Sequence, residues 1–372
     1  METSQSASSK RIYSVDIARG FVVAFSVLLS HIPPGGYLFF RHAEWYGLTL
    51  LDLIFPAFLT LFGVGLGIAY FRRIRWKKVI RRTVILMIIG LLYNAVVHWN
   101  ADFSTWRITG VLQLYAVSGL VAVLVLSINR TWQFSVLAAA IVMSTYGVWL
   151  SLAGKPCAEG VIWPDCNPFA KIDAALFGLS HMYAQGTKGY DPEGLAVMFS
   201  ALANVFLGAA AGRIIINPQQ KKKSRLLFML GGVLLLTAPL FAFFAPVGKR
   251  MWTPAFASLT AGIAVLLLAV LFFLLDDKSL RLKKSPAYTG LYLLEAFGRN
   301  SLLIYFGKYL LASVLMHLTI AGKAGTVSVR DKLLDGISLF PGDPKLNYAL
   351  FFFLFWAALA ILLHRQRWYV RV

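Results

Sequence analysis

Apolar positions come in blocks of about twenty residues, separated by short polar stretches, from one end of the chain to the other. Blocks of that length cross a hydrocarbon core of roughly 30 Å as helices. The pattern predicts ten spans, over residues 14–32, 49–71, 79–98, 109–128, 132–153, 195–216, 226–246, 254–275, 299–319 and 347–364. The apolar segment from Ala287 to Phe297 is too short to cross; it is expected to lie at the interface or to lead into the ninth span. The opening, residues 1–13, is polar and has no short apolar core followed by a small-residue cleavage site. It reads as a retained cytoplasmic tail, with residues 14–372 as one transmembrane domain. The expected fold is all-α and polytopic.

Composition agrees with this reading. The chain of 372 residues is 58% hydrophobic and 14% charged, with a mean hydropathy of +0.69, more apolar surface than a water-soluble globule can cover. Its net charge of +20 is concentrated in alternate loops: Lys10 and Arg11, "RRIRWKKVIRR" from Arg72, Arg130, "RIIINPQQKKKSR" from Arg213, "KSLRLKK" from Lys278, and the C-terminal "RQRWYVR". The positive-inside bias then puts both termini in the cytoplasm, and no nucleic-acid partner is needed to explain the charge. It also exports the loops at 33–48, 99–108, 154–194, 247–253 and 320–346. The only two cysteines, Cys157 and Cys166, share the longest of the first four. An oxidising compartment would allow them to bridge; sequence alone equally allows a free pair.

Ionisable groups at membrane depth are costly and tend to face a cavity and serve a function. Asp16 and Arg19 lie three residues apart on one face of the first helix, a spacing that suits a structural pair. His31, His42, Glu44 and Asp52 follow within 22 residues, joined by a Gly- and Pro-containing turn. Asp52 suits a helix start, where an acid caps or meets the positive end. His42 can take a proton near neutral pH, and a neighbouring carboxylate would fix its tautomer. A second group, Asp173, His181, Asp191 and Glu193, sits in the exported loop, where such residues either cap a helix or bind sugar hydroxyls and amines. The ninth span carries Asn300, Lys308 and His317; Lys308 needs a partner or an aqueous cavity, with Asp52 or Asp16 as candidate counter-charges.

Five stretches in order, "SVDIARGFVVAFSVLLSH" with "FFRHAEWYGLTLLDLIFPAFLTLFGVGLG", "RITGVLQLYAVSGL", "IDAALFGLSHMY" with "DPEGLAVMFSALANVFLGAAAG", "KRMWTPAFASLTAGIAVLLL" and "GRNSLLIYFGKYLL", resemble the transmembrane catalytic region of the heparan-α-glucosaminide N-acetyltransferase family over nearly the whole chain. The resemblance implies a polytopic acetyltransferase. It would take acetyl groups from cytosolic acetyl-CoA, use no metal, and place them on a terminal glucosamine amine across the membrane. It also makes a homodimer an expectation. The lumenal segment that precedes the eukaryotic catalytic helices has no counterpart before residue 14, which points to a bacterial inner-membrane protein.

The family's active histidine falls on His42. An asparagine that the family uses near the end of the preceding helix falls on His31, which could hold the acyl oxygen or acceptor only as the right tautomer. A sugar ammonium has no free lone pair, so His42, oriented by Asp52, is expected to remove its proton or to accept the acetyl group first. Candidate acceptor-binding residues are Trp45, Asp173, His181, Asp191, Glu193 and Asn300. Candidate contacts to the coenzyme A phosphates are Arg19, Arg72, Arg73, Lys77 and Lys78. Two rivals are an O-acyltransferase acting on a cell-envelope glycan and a proton-coupled transporter using the same intramembrane groups.

Overall fold

The computed structural model describes residues 12–32, 37, 40–277, 287–322 and 325–370. The polar tail up to residue 11, the turn at 33–36 and the basic stretch at 278–284 therefore lie outside the described residues. The described chain is all-α apart from one small hairpin, and nine of its helices are long and apolar enough to cross a membrane. It is an integral membrane protein.

The long helices are α1 (Tyr13–Ser30), α2 (Ile54–Ala69, preceded by a single 3-10 turn at Leu51–Leu53), α3 (Trp76–Val97), α4 (Val111–Ile128) and α5 (Trp132–Gly154). After a short helix α6 (Pro168–Phe177) come α7 (Leu195–Ile216), α8 (Lys223–Ala242) and α9 (Pro254–Phe272). A broken pair, α10 (Ala287–Arg299) and α11 (Ser301–His317), leads through the hairpin β1 (Thr319–Gly322) and β2 (Gly325–Ser328) to α12 (Val329–Ile337) and α13 (Pro344–Arg365).

Nine expected spans match these helices to within a few residues at each end, because caps mark several boundaries. Thr131 accepts from the Phe134 amide at the start of α5, and Asp343 accepts from the Lys345 and Leu346 amides ahead of Pro344. The expected ninth span is α11, a 17-residue helix, shorter than the other spans once α2 is counted with the 3-10 turn that precedes it. α10 leads into α11, the second of its two expected roles; Ala296 and Phe297 are fully buried, and the helix lies across α1 in backbone contact. A Cβ on Gly20 would fall 1.8 Å from the Leu294 carbonyl oxygen, and one on Gly298 would fall 1.9 Å from that of Asp16. Asn300 separates α10 from α11, so the two form one interrupted element.

The core is built around α7, whose residues are buried along nearly their whole length. Without a hydrophobic force between helices in lipid, close backbone approach must supply the packing. Gly63 and Gly67 on α2 face Val205 and Ala209, while Gly208 and Gly212 on α7 face Thr60 and Val64. Any side chain at Gly63 would meet the Val205 carbonyl oxygen at 2.1 Å. Asn204, at the centre of α7, donates to the Thr60 and Thr260 hydroxyls and accepts from the Trp252 indole at 2.9 Å. This network ties α2, α7 and the turn before α9 together beneath the loops at one end of the bundle.

Candidate functional site

Those loops converge on His42. The ring Nδ1 donates to Asp52 Oδ1 at 2.6 Å. Asp52 is wholly buried, whereas the His42 side chain is 39% exposed. The other Asp52 oxygen, Oδ2, accepts from the Ala43 amide (3.1 Å), the Thr49 amide (3.2 Å) and the Thr49 hydroxyl (3.0 Å). Asp52 thus folds the 42–49 loop around itself while aiming one oxygen at His42. Because Oδ1 can only accept, Nδ1 carries the hydrogen, and Nε2 of the neutral ring is an acceptor with no hydrogen-bond partner among the described residues. Burial pushes the imidazole below its ordinary pKa; the Asp52 hydrogen bond opposes this, and the charges of Lys249 and Arg250 reinforce it.

The same loop is anchored from outside by a disulfide. Cys157 and Cys166 are bonded, closing a short loop whose Ile162 carbonyl accepts from Trp45 Nε1 (2.7 Å) and the Tyr46 hydroxyl (2.8 Å). Trp45 is buried against Tyr190 with ring centres 5.0 Å apart. Its side chain therefore packs the loop rather than offering a face to a ligand. Replacing both cysteines by serine is expected to cost about 2–3 kcal/mol through freed loop entropy. In a detergent melting experiment, wild type treated with reductant should fall to the midpoint of the double variant, which itself should not respond to reductant.

The acids of the loop between α6 and α7 form a second cluster around Arg107, in the turn before α4. Arg107 Nη2 donates to Asp191 Oδ1 at 2.6 Å and to Glu193 Oε2 at 2.5 Å. Asp191 also accepts from the Thr109 hydroxyl (2.6 Å) and from the Tyr183 and Glu193 amides (each 2.9 Å). Its oxygens are saturated. Glu193 takes one hydrogen bond among the described residues, from Arg107, and burial pushes its carboxyl above the ordinary range, with Asp191 adding to the effect and Arg107 opposing it. Lys249 is near enough for its charge to act on Glu193 as well as on Asp52, so the two clusters adjoin.

The remaining loop residues have structural partners. Asp173 accepts from the Leu195 amide at 2.9 Å, capping α7, and burial pushes its carboxyl up to about 6. His181 Nδ1 donates to the Trp106 carbonyl at 2.7 Å, and its own carbonyl accepts from Ile108. Asp173 thus ties α6 to the start of α7, and His181 holds its loop against the turn before α4.

A cavity of about 730 Å³ penetrates the bundle between α1, α2, α3, α4, α10 and α11. Asp16, Arg19, Arg82, Arg299 and Val370 line it, and it extends to Phe58, Leu112 and Tyr115. Phe58 follows Asp52 by six positions, about 9 Å along a helix. His42 and Asp52 are not among its lining residues; the Phe58 and Tyr305 rings, with centres 4.7 Å apart, are. Of the basic candidates, Arg19 lines this cavity; Arg72 and Arg73 are exposed on the α2–α3 turn, and Lys77 and Lys78 are exposed in the first turn of α3. Arg82 and Arg299 were not singled out. Arg82 belongs to the run "RRIRWKKVIRR", but only the helical phase of α3 reveals which member turns inward.

Three intramembrane candidates find partners close at hand. Lys308 is not matched to Asp52 or Asp16; its ammonium donates to the Ser26 carbonyl (2.9 Å) and to the Ser26 and Ser30 hydroxyls (each 2.6 Å). His31 is buried, stacks on Phe352 and donates from Nδ1 to the Val27 carbonyl at 2.7 Å. With Nδ1 committed, Nε2 of the neutral ring accepts rather than donates, so His31 cannot stabilise an oxyanion in that form. Asn300, buried at the break, donates to the Ala296 carbonyl at 3.4 Å and lies between two residues of the cavity wall, Arg299 and Ser301.

Comparison with known proteins matches residues 11–237 to the catalytic region described as heparan-alpha-glucosaminide N-acetyltransferase. The human protein of that name is 27% identical over 370 aligned residues, covering 81% of this chain and 53% of its own length. The mouse protein is 24% identical, covering 82% and 54% respectively. The chain thus spans about half the length of these relatives.

Proposed function

The chain belongs to the heparan-alpha-glucosaminide N-acetyltransferase catalytic family, a family of transmembrane acetyltransferases, and from that premise we propose that it moves an acetyl group from acetyl-CoA to the amino group of a glucosamine-type sugar. The observation that carries this reading is the His42–Asp52 pair, with Nδ1 committed to a buried carboxylate and Nε2 without a partner among the described residues at a half-open surface. That is the arrangement of a general base.

His42 Nε2 accepts a proton from the sugar ammonium, which frees the nitrogen lone pair to attack the thioester carbonyl. Asp52 keeps the ring in the useful tautomer and stabilises the imidazolium. As the new C–N bond forms, the C–S bond breaks and the sulfur leaves as thiolate; the amide nitrogen sheds its second proton, and one proton per turnover remains after the thiol is formed. Glu193 Oε1 serves as the acceptor for an ammonium or hydroxyl of the sugar, since Oε2 is held by Arg107. Bound acetyl-CoA supplies the activated acyl group. The cavity suits it chemically, because Arg19, Arg82 and Arg299 present guanidinium groups that pair well with phosphates.

By the positive-inside bias, the end carrying these three arginines faces the cytoplasm and the His42 end faces away. The bonded cysteines at the His42 end fit an oxidising compartment. The direct test is transfer of radiolabelled acetyl from acetyl-CoA to a panel of amino sugars by the purified protein in lipid. Label on a glucosamine-type acceptor supports the reading. Binding of acetyl-CoA without label on any amine, but with label on a hydroxyl glycan, would replace it by O-acetylation. Arg82→Met and Arg299→Met are expected to raise KM for acetyl-CoA several-fold with a smaller change in kcat, since both would remove contacts remote from the reacting carbonyl.

A further inference from the structure

Lys249, in the turn between α8 and α9, belongs to none of the roles assigned above. Its ammonium lies 3.0 Å from His42 Nδ1 and 3.4 Å from Asp52 Oδ1, and its side chain is 17% exposed. The backbone that carries it is fixed on several sides. The Val247 carbonyl accepts from the Gly47 amide at 2.7 Å, Met251 from the Tyr146 hydroxyl at 2.8 Å, and Trp252 from the Ser200 hydroxyl at 2.6 Å. Thr253 closes the turn by accepting from the Gly248 amide and donating its own amide to the Gly248 carbonyl. A lysine serving only solubility needs no such mounting.

We propose that Lys249 is a positioning residue for His42, holding the Asp52 oxygen that the imidazole uses and keeping Nε2 free to accept a proton; this rests on the base role given to His42. Two donors share one oxygen. Nδ1 cannot both donate to Asp52 and accept from Lys249, so the ammonium's favourable partner is Asp52 Oδ1, and its closeness to the ring is a charge placed beside a group that becomes cationic in turnover. The other charges around the ring are Asp52 at the start of α2 and Arg250 on the same turn, with Glu193 ahead of α7 acting on Lys249. Asp52 favours the imidazolium, and Lys249 and Arg250 disfavour it. Lys249 therefore offsets the proton affinity that a buried carboxylate would otherwise confer, and the ring can release its proton once the amide has formed.

The sign follows. Removing the ammonium leaves Asp52 less opposed, so the folded protein's imidazole holds its proton to higher pH. Lys249→Met and Lys249→Gln should move the acidic limb of the kcat/KM profile upward by about 1 pH unit, with activity lost below the new midpoint and largely recovered above it. Lys249→Arg should stay near wild type. A second readout needs no substrate: diethyl pyrocarbonate modifies only the neutral imidazole, so the pH dependence of label at His42, resolved by mass spectrometry, reports the same midpoint. An upward shift in both readouts for Met and Gln, with Arg unshifted, supports the proposal. A labelling midpoint unchanged in folded, monodisperse Lys249→Gln overturns it, as does a loss of activity uniform across pH. If the labelling midpoint rises but no form of the protein transfers acetyl, the role of Lys249 beside His42 stands and the acetyltransferase reading falls.

Discussion

His42→Ala is expected to lower kcat for acetyl transfer by about 10²- to 10⁴-fold and to leave KM for acetyl-CoA nearly unchanged. The side chain is not among those lining the cavity that suits the coenzyme, so its loss should act on proton removal rather than on binding. Asp52→Asn should be almost as damaging, for a reason visible in its hydrogen bonds. Three donors from Ala43 and Thr49 converge on Oδ2, and an asparagine will turn its oxygen toward them. Its NH₂ then faces His42 Nδ1, which must accept, leaving the proton on Nε2 where the base should be. Both variants can be measured as initial rates of label transfer beside wild type at saturating acetyl-CoA. Full turnover in His42→Ala would remove His42 from the mechanism and leave the exposed ring without a function.

Much of the bundle could be read from the chain because a lipid core imposes length and apolarity on every span. The helix ends at 132, 195 and 254 coincide with the expected ones because Thr131, "DPEG" and Thr253–Pro254 are local signals. The packing of α10 was less legible: it depends on Gly20 meeting Gly298, a pairing across 278 positions that no local pattern carries. The hairpin at 319–328 went unforeseen for a similar reason, since its strands are only four residues each.

The site shows the same division. His42 and Asp52 lie ten residues apart and were paired from sequence as base and orienting acid. Lys249 joins them from 207 positions away and Arg107 joins Asp191 from 84. Arg107 is the only lysine or arginine of the loop at 99–108, and Lys249 shares the loop at 247–253 with Arg250 alone; what the local sequence lacks is any sign of which distant acid each one meets. Composition left Asp173 open between a helix cap and a sugar ligand; the contact it makes is with the Leu195 amide at the glycine-led start of α7, a pairing across 22 positions.

Arg107→Met is expected to destabilise the protein by about 3–5 kcal/mol, the usual cost of breaking a buried ion pair from one side. Arg107 is 12% exposed, Asp191 fully buried and Glu193 10% exposed, so neither acid can replace the lost guanidinium with bulk water. Asp191 retains the Thr109 hydroxyl and two amides, whereas Glu193 Oε2 loses its partner, so the penalty concentrates on Glu193. Burial already raises the Glu193 carboxyl in the presence of Arg107, and without that charge it rises further. A raised acid pKa in the folded state means that stability falls as pH increases through the ionisation. The deficit of Arg107→Met should therefore shrink as pH is lowered from 8 to 5, and adding Glu193→Gln should recover much of it at pH 8. Arg107→Lys should lie between wild type and Arg107→Met, keeping the charge but losing the planar group whose Nη2 reaches both acids while its Nε donates to the Thr109 hydroxyl. Apparent melting midpoints in detergent, taken across that pH range for the four forms, decide the matter. A deficit that does not depend on pH would mean that losing Arg107 leaves the protonation of Glu193 in the folded protein unchanged between pH 5 and 8, and the ion pair would then not be the source of the penalty.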